Sequence, residues 1–99
     1  MSTVLITGAS RGIGRATAKA FANSGWDLLL VSRSEDDLKD LIEEIDNKKI
    51  KAFYKSIDLC NPKDISKGIV ELMNYGLLPS VLINNAGVAW TGDLLSMPL

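Results

Sequence analysis

Residues Thr7-Gly8-Ala9-Ser10-Arg11-Gly12-Ile13-Gly14 carry the densest chemical signal in this chain. They follow the apolar run Val4-Leu5-Ile6 and open an alanine-rich helical pattern. Three glycines between a strand and a helix let the backbone turn tightly and approach a phosphate closely, with the helix N-terminus aimed at the negative charge. The spacing is G-x-x-x-G-x-G, not the G-x-G-x-x-G of the general dinucleotide fingerprint. Alone, the pattern also fits a strand-to-helix turn that holds no ligand. As a ligand site, Gly8, Ser10, Arg11, Gly12, Ile13 and Gly14 would wrap a pyrophosphate. Backbone N–H groups and the helix dipole would do most of the binding. The Ser10 hydroxyl can donate to a phosphate. Arg11 is either a cation near the ribose-phosphate end or a solvated surface arginine.

A second motif stands about seventy residues further on, where Asn84-Asn85-Ala86-Gly87 follows the apolar run Val81-Leu82-Ile83. The combination T-G-x-x-x-G-I-G and N-N-A-G resembles the short-chain dehydrogenase/reductase family, from the first strand to the end of the chain. The resemblance implies a nicotinamide dinucleotide cofactor. It places the backbone of this second motif and Asn85 beside the cofactor ribose. Asn84 instead ties neighbouring strands together in an alternative reading. Ala86 and Gly87 are small either because the ligand lies against them or because strand and helix pack tightly there. The resemblance also sets Asp58 and Leu59 at the adenine, with the acid accepting from its amino group. Otherwise Asp58 only helps the turn before Asn61-Pro62.

Cofactor choice is read just after the second strand. An acid there, about twenty residues past the glycines, holds both ribose hydroxyls of NAD. Here the residues are Ser32-Arg33. Serine does not repel a 2′-phosphate, and Arg33 can bind one with charge-assisted hydrogen bonds. Arg11 and Arg33 together favour NADP(H), while the nearby Glu35 keeps NAD(H) as the lesser alternative.

Family enzymes pair a tyrosine with a lysine four residues on. The tyrosine moves the proton, the lysine lowers its pKa and the nicotinamide carries the hydride. In this sequence Tyr54 is followed at that spacing by Asp58, and Tyr75 by Pro79. No catalytic residue is therefore assigned, and the chain alone is expected to be inactive. The resemblance implies an NADP(H)-dependent oxidoreductase that interconverts a carbonyl and an alcohol, with residues 1–99 as the N-terminal part of its cofactor domain. The T-G-A-S-R-G-I-G wording looks most like 3-oxoacyl-carrier-protein reductases. The competing readings are a non-catalytic dinucleotide-binding module and an inactive truncated product. A tyrosine-lysine pair downstream of Leu99 would decide for the enzyme.

These residues need a scaffold, and the pattern supplies one. It reads strand, helix, strand, helix, strand, helix, strand. The strands fall at about Thr3 to Thr7, Leu28 to Val31, Lys51 to Ile57 and Val81 to Ile83. The run Leu28-Leu29-Leu30-Val31 implies burial on both faces, the habit of a parallel sheet. Ile13, Ala16, Thr17, Ala20 and Phe21 are spaced for one buried face of a helix from Gly12 to Asn23, which Gly25 ends. Ser34 caps a second helix whose stripe is Leu38, Leu41, Ile42 and Ile45. Asn61-Pro62 opens a third with Ile65, Ile69, Leu72 and Met73, ended by Gly76. The third strand alternates as an edge strand does, and Lys51 and Lys55 guard it against stray pairing. This order predicts an α/β, Rossmann-like, doubly wound parallel sheet with four strands in order 3-2-1-4, apparently truncated. The switch point then lies between the first and fourth strands, where both motifs sit.

Composition narrows the rest. The chain has 99 residues, 46% apolar and 23% charged, enough for one small domain. A net charge of −1 gives no electrostatic argument for nucleic acid or an anionic membrane. With no histidine, a histidine triad or histidine metal site is excluded. The single cysteine, Cys60, cannot form an internal disulfide and is read as an inert thiol. It fits a cytoplasmic setting, as does an N-terminus that enters its first strand at once. Trp26 is expected at the sheet margin. Trp90 either lines a substrate pocket or packs incidentally. The apolar edge at Val81-Leu82-Ile83 invites self-association.

Overall fold

Two strands with unbroken apolar middles, Val4-Leu5-Ile6 and Leu28-Leu29-Leu30-Val31, form the centre. In the computed structural model, which describes residues 2–45 and 49–85, β1 (Thr3–Thr7) and β2 (Asp27–Ser32) are buried along their whole lengths. β3 (Ala52–Ser56) and β4 (Val81–Asn84) are only partly buried. The sheet is parallel throughout in the order β3-β2-β1-β4. The expected topology is therefore present, with no strand end moved by more than one residue.

Alternate residues of each strand face opposite ways, so one sheet makes two cores. Val4, Ile6, Leu28 and Leu30 face α1 (Gly12–Asn23) and α2 (Glu35–Glu44), and meet Ala18, Ala22, Leu38 and Leu41. Leu5, Leu29 and Val31 face α3 (Pro62–Met73), and meet Ile57, Ile65 and Leu72. Each fully buried leucine or isoleucine contributes about 1.5–3 kcal/mol. These two apolar layers fix the strand ends, and hence the position of every loop above them.

Helix ends follow their caps. The Ser34 hydroxyl accepts from the Asp37 N–H at 3.3 Å. The Asn61 side chain accepts from the N–H groups of Lys63 and Asp64 at 3.1 and 3.4 Å, with Pro62 in the first turn. Trp26 packs edge-to-face on Phe21, 5.0 Å between ring centres, at the margin of the first core. On the outer strand, Lys55 pairs with Glu71 of α3, and Phe53 stacks on Tyr75 at 4.1 Å.

The face of α1 corrects the sequence reading. Gly14, Ala18 and Ala22 are its buried residues, while Ala16 and Ala20 are exposed and Ile13 is 77% exposed. Of the predicted stripe, Phe21 packs against the core, whereas Ile13, Ala16 and Ala20 lie on the solvent side. At Gly14 the glycine turn lies directly on the helix, and further along α1 meets the sheet through Ala18 and Ala22. Apolar size therefore found Phe21 and missed the small residues that make the rest of the contact.

α1 and α2 are also joined by charge. Lys19 approaches Glu44 at 3.1 Å, and Arg15 pairs with the same carboxylate. Hydrogen bonds from Lys19 and then Arg15 hold the Glu44 carboxyl below its ordinary 4.5. A carboxyl lowered in the folded state stabilises the fold above its unfolded value, and that contribution disappears as pH falls through the folded one. Melting temperatures of the parent and Glu44→Gln should therefore differ at pH 6 and converge below about 4.5, measured by circular dichroism. A constant difference down to pH 3 would contradict this coupling. The effect is expected to be small, because the pair is solvent-exposed.

Candidate functional site

The two motifs meet at the C-terminal ends of β1 and β4, where Thr7 stands in register with Asn84. The Thr7 hydroxyl donates to Asn84 Oδ1 at 2.7 Å, and the Asn85 N–H donates to the Thr7 carbonyl at 3.3 Å. Asn84 thus takes its strand-tying role. Asn85 is exposed at the mouth of the crevice. Ala86, Gly87 and Trp90 lie outside the described residues.

The glycine turn folds back over the start of α1. Gly8 and Gly12 have φ of +63° and +56°, a region that glycine enters at little cost. At Gly14 the constraint is space: an added Cβ would overlap the Gly8 carbonyl oxygen and come within 2.8 Å of its carbon. The loop backbone therefore rests directly on the first helical turn. At Gly12 an added Cβ would meet nothing within 4 Å, so that side of the loop is open.

α1 begins unlike its neighbours. Its cap residue, Arg11, is extended (φ −143°, ψ 158°), offers no side-chain cap, and is followed by no acid in the first turn. α2 and α3 both have side-chain caps and first-turn acids. An uncapped N-terminus keeps unmatched N–H groups and about half a positive charge. At a turn where Gly14 lets the loop close over the helix, those donors suit an oxyanion such as a pyrophosphate.

The turn is braced against β2. The Ala9 N–H donates to the Val31 carbonyl at 3.2 Å. Ser10 and Ser32, 8% and 9% exposed, share a hydroxyl–hydroxyl hydrogen bond of 2.6 Å. Ser32 Oγ also accepts from the Ser34 N–H at 3.3 Å. Ser10 is therefore engaged within the protein, and its proton is free for a phosphate only when Ser32 is the donor. Arg33 is exposed, and its carbonyl accepts from the Ser56 hydroxyl at 2.8 Å, which fixes the end of β2 against β3.

Asp58 forms the turn that the sequence allowed. Its Oδ1 accepts from the Cys60 N–H at 2.9 Å, and its own N–H donates to Asp64 Oδ2 at 2.6 Å. Leu59 packs on the α3-side core. Three contributors escape a reading of the sequence alone: Ser32 as partner of Ser10, Arg15 and Asp37. Arg15 Nη1 donates to the Ser10 carbonyl at 3.3 Å and to the Asp37 carbonyl at 3.5 Å. Arg11 Nε donates to Asp37 Oδ2 at 3.2 Å. The available signal was the i,i+4 spacing of Arg11 and Arg15 opposite the acids of α2.

A parallel sheet in order β3-β2-β1-β4, with a glycine turn at its switch point, defines a Rossmann-like α/β domain. Residues 2–99 match the short chain dehydrogenase family, and the chain belongs to it. A short chain dehydrogenase of Pseudocercospora fijiensis is 40% identical over 97 residues, covering 97% of this chain and 31% of that protein. The 3-oxoacyl-[acyl-carrier-protein] reductase FabG of Aquifex aeolicus is 35% identical over 96 residues, covering 96% of this chain and 39% of that protein. Among solved structures, a metagenomic short-chain oxidoreductase in complex with NADP superposes with a TM-score of 0.79 at 32% identity, over 97% of this chain and 44% of that one. The chain thus spans about a third to just over two fifths of the length of these proteins.

Proposed function

We propose that the protein is an NADP(H)-dependent oxidoreductase interconverting a carbonyl and an alcohol, and that these 99 residues hold its cofactor. The observation that carries the reading is the uncapped start of α1 at the β1/β4 switch point, with Arg11 and the exposed Arg33 on its β2 side. Gly8, Ser10, Gly12, Ile13 and Gly14 surround the pyrophosphate. Arg11 and Arg33 take the 2′-phosphate. Asp58 and Leu59 border the adenine, and Asn85, Ala86 and Gly87 border the ribose. The Asp58 Oδ1 is already used within its turn, which leaves the other oxygen for the adenine amino group. The cofactor supplies the hydride. This chain's part is to bind and orient it.

The buried Ser10–Ser32 pair supports the preference for NADP(H). It occupies the place where an acid would hold the ribose of NAD, and it adds no negative charge. NADP in the related metagenomic structure supports the same reading. A 3-oxoacyl thioester is the substrate class proposed, on the likeness to the Aquifex reductase. Among the described residues no helix is long and apolar enough to cross a membrane. A cytoplasmic location belongs to the proposal and rests on the unpaired Cys60.

The test is cofactor titration of the intact protein and its Arg33→Ala variant. A charge-assisted hydrogen bond is worth about 1.5–3 kcal/mol. NADPH affinity should therefore fall about ten- to a hundredfold, with NADH affinity nearly unchanged. Equal affinities for the two cofactors in the parent, or an unaltered ratio in the variant, would overturn the preference.

A further inference from the structure

We propose that Asp37 tempers the cofactor selectivity of this protein by competing with the 2′-phosphate for Arg11. The proposal rests on the NADP(H) reading above and adds a residue that does not itself touch the cofactor. Arg11 Nε donates to Asp37 Oδ2 at 3.2 Å. The arginine side chain is 85% exposed, whereas that of Asp37 is 33% exposed.

The two partners differ in how firmly they are held. Asp37 is fixed from its backbone: its N–H is taken by the Ser34 hydroxyl, and its carbonyl is 3.5 Å from Arg15 Nη1. The same Arg15 nitrogen reaches the Ser10 carbonyl at 3.3 Å. Asp37 is thereby anchored to the glycine turn itself. Arg11 is the solvent-exposed member, a long side chain held by this one contact that the structure shows. Because Ser34 already caps α2, the Asp37 carboxylate is not needed as the cap and is available to Arg11.

A 2′-phosphate gathered by Arg11 and Arg33 must displace that carboxylate from Arg11. NAD(H), with a hydroxyl at the same position, meets no such competition. Asp37 therefore penalises NADP(H) alone, and keeps the preference created by Arg33 moderate. Exposed ion pairs correspond to changes of about 1.4- to fivefold.

The test is a binding titration of the intact protein with NADPH and with NADH, independent of turnover. Asp37→Asn should raise NADPH affinity about threefold at low ionic strength and leave NADH unchanged. Asp37→Glu should return the ratio to that of the parent. The gain should vanish near 1 M salt, where charges are screened beyond about 3 Å, and should be absent in an Arg11→Gln background. Asp36→Asn removes the same charge from the same turn and should leave the ratio alone. Asp37→Gln replaces the asparagine variant if melting shows that variant unfolded.

An unaltered ratio in Asp37→Asn would overturn the proposal. So would weakened NADPH binding, which would make Asp37 a support for Arg11, or an equal gain from Asp36→Asn. If the parent bound both cofactors equally while Asp37→Asn still gained for NADPH, the parent's preference would fall and the competition would stand.

Discussion

Gly14→Ala should abolish dinucleotide binding, weakening it by at least about a hundredfold, and should lower the melting temperature of the protein. The added Cβ would strike the Gly8 carbonyl, which is backbone and cannot rotate away as a side chain would. Either the helix start or the loop must move. Overpacking of this kind costs about 1–3 kcal/mol, or roughly 2–12 °C in a domain of 150–250 residues. Binding should suffer more, because moving the Gly8 carbonyl shifts the neighbouring N–H groups that are proposed to donate to the phosphate. Losing two charge-assisted hydrogen bonds at about 1.5–3 kcal/mol each accounts for a hundredfold or more. Gly12→Ala is the internal comparison. Its φ of +56° is unfavourable for alanine, but nothing lies within 4 Å of the new methyl. Its cost should stay near 1–2 kcal/mol, the usual left-handed penalty. Calorimetric titration and thermal melts of both variants check the order. A Gly12→Ala variant more damaged than Gly14→Ala would mean that the loop does not rest on α1 as described.

That prediction needed coordinates, and the reason bears on what a sequence can reveal. The caps at Ser34 and Asn61-Pro62 and the two glycine-bearing motifs were legible, because each depends on residues close together in the chain, and the strand order followed from the doubly wound rule for alternating strands and helices. The apolar run of β2 and the alternation of β3 marked a buried strand and an edge strand, whereas the outer place of the equally apolar β4 came from the expected order and not from its composition. The buried face of α1 was not legible. A stripe search rewards large apolar residues, whereas this helix approaches the sheet through Gly14, Ala18 and Ala22. Nor were the side-chain pairs around the candidate site. Ser10 and Ser32 are 22 residues apart, and Arg11 and Asp37 are 26 apart. Such pairs depend on where β2 and α2 come to rest, which no local pattern encodes. Asp58 and Asn84 were each left with two roles, and the hydrogen bonds found are those of the turn and the strand tie.

Expressed as a separate polypeptide, the 99 residues are expected to be marginally folded and to self-associate. The argument starts from β4. Val81, Leu82 and Ile83 are only partly buried, and among the described residues β4 pairs on one side alone, with β1. An apolar strand with one open edge is a template for another chain. The sheet faces are also unequal. α1 and α2 cover one core, whereas among the described residues α3 is the one helix over Leu5, Leu29 and Val31 on the other. Ile13, Val70 and Leu78 add exposed apolar surface at 77%, 56% and 79%. A domain keeps only about 5–15 kcal/mol of net stability. At about 1.5–3 kcal/mol per buried large apolar side chain, a few missing contacts remove most of it. Sedimentation and thermal melting of the purified 99-residue chain check this directly. Oligomers, or a broad transition at low temperature, are the expected result. A soluble monomer with a cooperative transition above about 60 °C, beyond the middle of the mesophilic range, would show that two partly covered layers suffice, and that the β4 edge is protected by its own residues.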